Sequence, residues 1–182
     1  IIIPKKNKKE INQIITNLRP DFIYCQLIRT AEYIKDRNEH KIIDFMDCFS
    51  LGLKRRVKTS NILMKNIIHF EYKRVKKYES EIFNFFKNHS IISKFDQKHI
   101  DHINNKKIVI IENGIDTNYF KRKTKEYKKN TIIFVGNMSY KPNVIAAKFI
   151  CEKILPLIEK KVKDVKVIIA GSNPNKEVRS LS

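Results

Sequence analysis

The stretch Thr131-Ile-Ile-Phe-Val-Gly-Asn-Met-Ser-Tyr-Lys-Pro-Asn143 decides the fold class of this chain. It joins a short apolar run, typical of a buried strand, to a glycine turn and then to Pro142, which suits the first turn of a helix. Apolar residues continue at helical intervals to about residue 160, and residues 165–170 form another apolar run. This order predicts a strand, a helix and a second strand, which is the βαβ unit of a parallel sheet.

The same alternation precedes this stretch. Apolar runs predict strands at 21–27, 41–46, 89–92 and 107–111, and helical periodicity predicts helices at 29–37 and 65–87. Ser93 and Asp96 have capping-box spacing, which predicts a helix from there to about residue 103. Residues 51–53 indicate a turn and 54–58 an exposed basic segment, while Asn113-Gly114 predicts a turn with positive φ.

These patterns predict an α/β chain with two Rossmann-like parallel-sheet units, both incomplete. The first is expected over 1–116, a basic linker over 117–130, and the second unit over 131–182. The chain starts Ile1-Ile2-Ile3-Pro4, without Met or a signal-peptide pattern, so we expect a segment of a longer protein.

Composition excludes several classes of protein. Of 182 residues, 42% are hydrophobic, so the chain can fill a core despite a net charge of +19. No apolar run approaches the roughly 20 residues of a membrane-spanning helix. The three cysteines form no CxxC pair, which argues against a disulfide framework or a zinc site and fits a reducing cytosol. We expect no bound metal.

The basic charge has a simple origin. Ile, Lys and Asn, all with AT-rich codons, number 31, 30 and 17, and Lys outnumbers Arg 30 to 8. Since phosphate and base recognition favour Arg, we expect no nucleic-acid partner, although a basic nucleic-acid-binding α/β protein remains an alternative. Residues 121–129 carry six basic side chains and one acidic, and indicate either an exposed linker or a contact with anionic lipid headgroups.

Ligands of open parallel sheets bind beyond the carboxyl ends of the strands. The candidate residues there are Gln26, Arg29, Asp47, Ser50, Asn113, Gly114, Asp116 and the loop from Gly136 to Lys141. A glycine between a strand and a helix lets backbone N–H groups approach a phosphate, although it also suits a tight turn. As an alternative to binding a ligand, Asp47 and Ser50 would form hydrogen bonds with the local backbone, and Arg29 would form a surface ion pair.

Three ordered motifs carry a family resemblance. They are 107-KIVIIENGIDTNYF-120, then 133-IFVGNMSYKPN-143 and 167-VIIAGSNP-174, with 44-DFMDCFS-50 upstream. Together they resemble the retaining GT-B glycosyltransferases of family 4, the bacterial sugar transferases with an FxGxMxYxPN loop. The resemblance covers the chain from about Pro20 to Leu181.

The resemblance implies two Rossmann-like domains and transfer of a sugar from a nucleotide diphosphate sugar to an envelope glycan or lipid-linked acceptor. It implies a donor diphosphate loop of Gly136, Asn137, Met138 and Lys141, an acceptor-side cleft with Gln26, Arg29, Asp47 and Ser50, and an interdomain crossover at Asn113, Gly114 and Asp116. It implies no cofactor, no metal and no protein nucleophile, so no catalytic residue is assigned. The expected location is the cytoplasm, with peripheral contact to the inner face of the membrane.

The chain departs from the family pattern at several places. Asn137 and Pro142 lie near the positions of a diphosphate-clamping Arg and Lys, and Gln26 occupies the place of a frequent His. The family's glutamate-rich donor motif and its first glycine-rich loop fall outside the sequence. We therefore expect the chain as given to be inactive, and a non-catalytic remnant is a further alternative.

Overall fold

A computed structural model describes residues 5–121 and 128–181 of the chain. The chain divides into two compact units, Ile1–Ile115 and Asp116–Ser182, so the division falls beside residue 116, where the sequence predicts the end of the first domain. Six residues of the predicted basic linker, 122–127, lie outside the described residues.

The first unit alternates helices with parallel strands. In chain order these are α1 (Lys5–Leu18), β1 (Phe22–Gln26), α2 (Ile28–Ile34), β2 (His40–Asp44), α3 (Phe49–Thr59), α4 (Ile62–Phe83), β3 (Asn88–Ile91), α5 (Lys94–Gln97), a 3-10 turn (Asn105–Lys107) and β4 (Val109–Ile110). The four strands lie in the order β1-β2-β3-β4, and all pairs are parallel.

The helices of this unit cover one face of its sheet. Right-handed crossovers that always step to the next strand in one direction place their helices on the same side. On that side Cys25, Ile43 and Ile91 are buried in one cluster with helix residues such as Val75 and Ile82. On the opposite side of the sheet, Phe22, Tyr24 and Val109 are exposed by 69%, 61% and 59%.

Periodicity identified the inward face of the long helix correctly. Ile68, Val75 and Ile82 are buried, as their spacing predicts. In the aromatic run that follows, Phe83 and Phe86 lie in the core, whereas Phe85 is 42% exposed.

Other local predictions were wrong. Residues 54–58 are not a rim outside regular structure but part of α3, and the helix expected from 94 to 103 ends at Gln97. The capping contact itself is present, because the Ser93 hydroxyl accepts the Asp96 N–H at 3.0 Å. Neither Asn113 nor Gly114 has positive φ, since the chain from 111 to 116 continues without a tight turn.

The second unit is a single βαβ arrangement with one more short helix. It comprises β5 (Thr131–Val135), α6 (Lys141–Phe149), a π-helical turn (Ile150–Ile154), α7 (Leu155–Glu159), β6 (Lys166–Ala170) and α8 (Lys176–Arg179). β5 and β6 are parallel, with Thr131 opposite Lys166 and Val135 opposite Ala170. Met138, Val144, Ala147 and Val178 form its buried cluster.

The molecule is therefore an α/β protein with two small parallel sheets. Over residues 5–121 and 128–181, no helix combines the length and apolar character needed to cross a membrane.

Candidate functional site

The loop after β5 is held against the loop after β6 by two glycines. A Cβ on Gly171, whose φ is +148°, would lie 1.7 Å from the Gly136 carbonyl oxygen. The Gly136 N–H donates to the Ala170 carbonyl at 3.0 Å, and the Met138 N–H donates to the Ser172 carbonyl at 2.8 Å. A side chain at position 171 would therefore prevent this approach of the two strand ends.

Polar side chains fix the remainder of this loop. A Cβ on Gly136 would lie 2.7 Å from the Asn143 Nδ2. That amide nitrogen donates to the Asn137 carbonyl at 3.0 Å and so joins the first turn of α6 to the loop. The Asn137 Oδ1 accepts the N–H and the hydroxyl of Ser139, at 3.0 and 2.8 Å. The glycine and the amide together set the loop conformation ahead of the helix.

The four predicted donor-loop residues have different positions. Gly136, Asn137 and Lys141 lie at the carboxyl end of β5 or the start of α6, and Asn137 and Lys141 are exposed. Met138 is only 1% exposed and belongs to the core cluster. The prediction that Met138 faces a ligand is wrong, because its side chain packs in this cluster and fastens the loop to the unit.

The N-terminal end of α6 is open. Tyr140 precedes the helix and supplies no side-chain cap, and Pro142 is in the first turn. Lys141 makes no side-chain hydrogen bond or ion pair with another described residue. A helix start of this kind combines a positive dipole end with a nearby cation.

In the first unit, predicted residues gather at the carboxyl ends of β1 and β2. The Gln26 Nε2 contacts the Met46 sulfur at 3.2 Å, and the Arg29 guanidinium lies over the Phe49 ring, 4.6 Å from its centre. Asp47 is exposed at the same edge. Partial burial and the charge of Asp96 raise the pKa of Asp47, and the nearby Arg29 charge opposes that shift.

Ser50 lines a cavity whose wall includes none of Gln26, Arg29 and Asp47, the other residues of the predicted acceptor-side cleft. It is buried in α3, where its N–H donates to the Glu79 Oε1 at 3.0 Å. Cys48, just before the helix, has a thiol whose pKa is raised to about 11, chiefly by burial and then by Glu79. Its N–H donates to the Asp96 Oδ1 at 3.2 Å. Two carboxylates from other elements thus satisfy the first N–H groups of α3.

Sequence reasoning missed both Glu79 and Asp44. Glu79 has no exposed surface, and burial raises its pKa despite the hydrogen bonds from α3. Asp44 is 7% exposed and accepts the Tyr24 hydroxyl at 2.5 Å and the Met46 N–H at 3.1 Å. That hydrogen bond raises the pKa of Tyr24 to about 12. The DxxD spacing of Asp44 and Asp47 was the available signal for Asp44.

The predicted crossover residues are exposed. The Asp116 Oδ1 accepts the N–H groups of Asn118 and Tyr119, at 2.9 and 3.1 Å, so it caps a short turn. Asn113 and Gly114 lie in extended chain before it.

Histidine nitrogens near α5 already have partners. The His99 Nδ1 bonds the Phe95 carbonyl at 2.8 Å, and the His102 Nε2 bonds the Asn84 Oδ1 at 3.1 Å. Among the residues that the structure describes, no group of three or more His, Cys, Asp or Glu side chains is placed to hold a metal ion.

Comparison with known proteins identified no relative of this chain. No protein-family model matches the chain, and no curated protein matches it.

Proposed function

We propose that the chain is part of a retaining GT-B-type glycosyltransferase. It would transfer a sugar from a nucleotide diphosphate sugar to an envelope glycan or a lipid-linked acceptor. The observation that most supports this proposal is the loop after β5, fixed by Gly136 and Gly171 and followed by the uncapped start of α6. The N–H groups of Gly136, Met138, Ser139 and Tyr140 already have acceptors within the unit. A phosphate would therefore receive the N–H groups of Asn137 and Lys141, held in place by the rest of the loop.

The chemistry of the proposed reaction suits this loop. A leaving diphosphate gains negative charge as the bond from the sugar to its phosphate oxygen breaks. The N–H groups of Asn137 and Lys141, the positive end of α6 and the Lys141 ammonium would stabilise that charge. The acceptor hydroxyl would form its bond to the sugar carbon on the same face and give its proton to the leaving diphosphate oxygen. Asn137 would contribute its side-chain amide nitrogen, since its Oδ1 is already used within the loop.

The first unit would supply the acceptor side. Gln26 offers amide hydrogen bonds, Arg29 a cation, and Asp47 a carboxylate whose pKa is raised by partial burial. These polar groups at one edge of the sheet suit a ligand rich in hydroxyl groups. Ser50 and Met138 are left out of the proposed site, since both are buried.

Binding of nucleoside diphosphates tests the proposal. We expect UDP or GDP to bind the chain in calorimetric titration more tightly than UMP or GMP, because the second phosphate reaches the loop. Lys141→Ala should weaken diphosphate binding about tenfold or more, the value of one charge-assisted hydrogen bond. Lys153→Ala is the matched control, since Lys153 is exposed in the π-helical turn further along the same helical segment.

Two results would contradict the proposal. One is the absence of any preference for diphosphates over monophosphates. The other is an equal loss of binding in Lys141→Ala and Lys153→Ala, which would show a response to net charge alone.

A further inference from the structure

The first unit contains a basic pocket that the proposed transferase chemistry does not use. It lies between α3, α4 and the segment after α5, and its cavity measures about 480 Å³. Cavities of about 300–1,000 Å³ are typical of sites for small molecules. Its charged lining residues are Lys54, Lys76, Lys98 and Asp101.

The charges of this pocket do not cancel. Asp101 is paired with Lys76, with 3.0 Å between its Oδ2 and the Nζ, and this pair holds Lys76 in place across the pocket. Lys54 and Lys98 make no side-chain hydrogen bond or ion pair with any other described residue. Three lysines against one aspartate leave a net charge of +2 on the pocket wall.

The buried Glu79 carboxyl forms no ion pair with Lys54 or Lys98 and has its contacts at the start of α3. Glu79 lies behind Ser50, and its Oε1 accepts the Ser50 N–H at 3.0 Å. Its charge is therefore directed at the positive end of α3. Tyr72 also lines the pocket and adds a hydroxyl with no hydrogen bond to another described residue.

We propose that this pocket binds the phosphate group of a phosphate monoester carried on a body of about the size of a sugar. A phosphate monoester has about two negative charges near neutral pH, which matches the +2 of the wall. Compact lysine ammonium groups act as point charges for phosphate, and the Tyr72 hydroxyl supplies a neutral donor. The volume leaves room for more than the phosphate itself. This inference does not depend on the transferase proposal.

Calorimetric titration of the chain with glucose 1-phosphate tests the pocket, with glucose as the uncharged comparison. The titration is run at about 0.15 M salt, where exposed charges beyond about 8 Å are screened. A second arm measures co-sedimentation with phosphatidylcholine vesicles containing phosphatidic acid, which offers the same phosphate monoester as a lipid headgroup.

The matched variants separate the pocket from the general charge of the chain. K54A/K98A removes the two unpaired pocket lysines. K65A/K73A removes two exposed lysines of α4 that do not line the pocket, with the same change in net charge. Circular dichroism is used to check that both variants keep the helical content of the native chain.

We expect saturable binding of one phosphate monoester, weakened about tenfold or more in K54A/K98A and changed less than about twofold in K65A/K73A. If only the vesicle arm shows this difference, the ligand is a lipid headgroup, and if only the sugar phosphate shows it, the ligand is soluble. Absence of binding in both arms up to about 10 mM ligand, or equal weakening in the two double variants, would overturn the proposal.

Discussion

Replacing Glu79 tests whether a buried carboxylate holds the start of α3. The Glu79 side chain has no exposed surface and accepts the Ser50 N–H at 3.0 Å. Glu79→Ala leaves that buried N–H without an acceptor, whereas Glu79→Gln retains a carbonyl oxygen for it and removes only the charge. The pair of variants therefore separates the hydrogen bond from the ionisation.

The expected loss of stability follows from these contacts. A buried N–H without a partner costs about 1–3 kcal/mol, and the one lost methylene group costs about 0.8 kcal/mol. Relief of the desolvation that raises the pKa of Glu79 offsets part of this loss. We expect Glu79→Ala to lower the free energy of unfolding by about 2–3 kcal/mol, or about 8–12 °C in Tm for a unit of 115 residues, and Glu79→Gln by less than about 1 kcal/mol.

Urea denaturation followed by circular dichroism at several pH values measures both effects. The folded pKa of Glu79 lies above its ordinary 4.5, so the stabilisation from the protonated form is complete below pH 4.5 and is lost as the pH rises through the folded value. Glu79→Gln cannot ionise, so we expect its stability to improve relative to the native chain over that rise. A Glu79→Ala chain within about 0.5 kcal/mol of the native one, or a Glu79→Gln chain as unstable as Glu79→Ala, would refute this reasoning.

Two further substitutions probe other contacts. Gly171→Ala places a Cβ 1.7 Å from the Gly136 carbonyl oxygen, so we expect the second unit to lose about 3 kcal/mol or more and to become sensitive to limited proteolysis; unchanged protection would contradict the close approach. Tyr24→Phe removes the 2.5 Å hydrogen bond to Asp44, with a loss of about 1 kcal/mol in urea denaturation. It should also remove a phenol that titrates near pH 12 in ultraviolet absorbance, and a titration curve identical to that of the native chain would show that Tyr24 is not perturbed.

Local sequence patterns were sufficient to predict the strands and the long helix α4. Apolar runs bounded by turn residues predicted β1, β2, β3, β5 and β6 to within two residues, because these strands are short and each packs apolar side chains against a buried cluster. Three-and-four spacing identified Ile68, Val75 and Ile82 as the inward face of α4. Both signals depend only on neighbours along the chain.

Helices stabilised by distant contacts were harder to predict. α3 contains Gly52 and has only two buried residues. The N–H groups at its start are bound by Glu79 and Asp96, which lie far along the sequence in other helices. α1 was missed although Ile11 and Ile15 are spaced one helical turn apart and pack on the core.

The sequence predicted where the candidate site lies but not which of its side chains are exposed and which are buried. Strand ends located Gly136, Lys141, Gln26 and Asp47, but no local rule separates an exposed Asn137 from a buried Met138 in the same loop. Burial of Met138 follows from its packing with Val178, forty residues later. The family resemblance assigned both residues to the donor diphosphate loop, whereas packing buries Met138 and leaves Asn137 exposed.

The strand order of the first unit has a consequence for where a ligand could enter. In open parallel sheets a crevice opens where successive connections leave in opposite directions. β1-β2-β3-β4 is wound in a single direction, so the described strands contain no such reversal between neighbours. The rim formed by their carboxyl ends is therefore continuous over the middle of the sheet. A reversal needs another strand beside an outer strand of the sheet, and beside β1 that position adjoins Gln26, the last residue of β1.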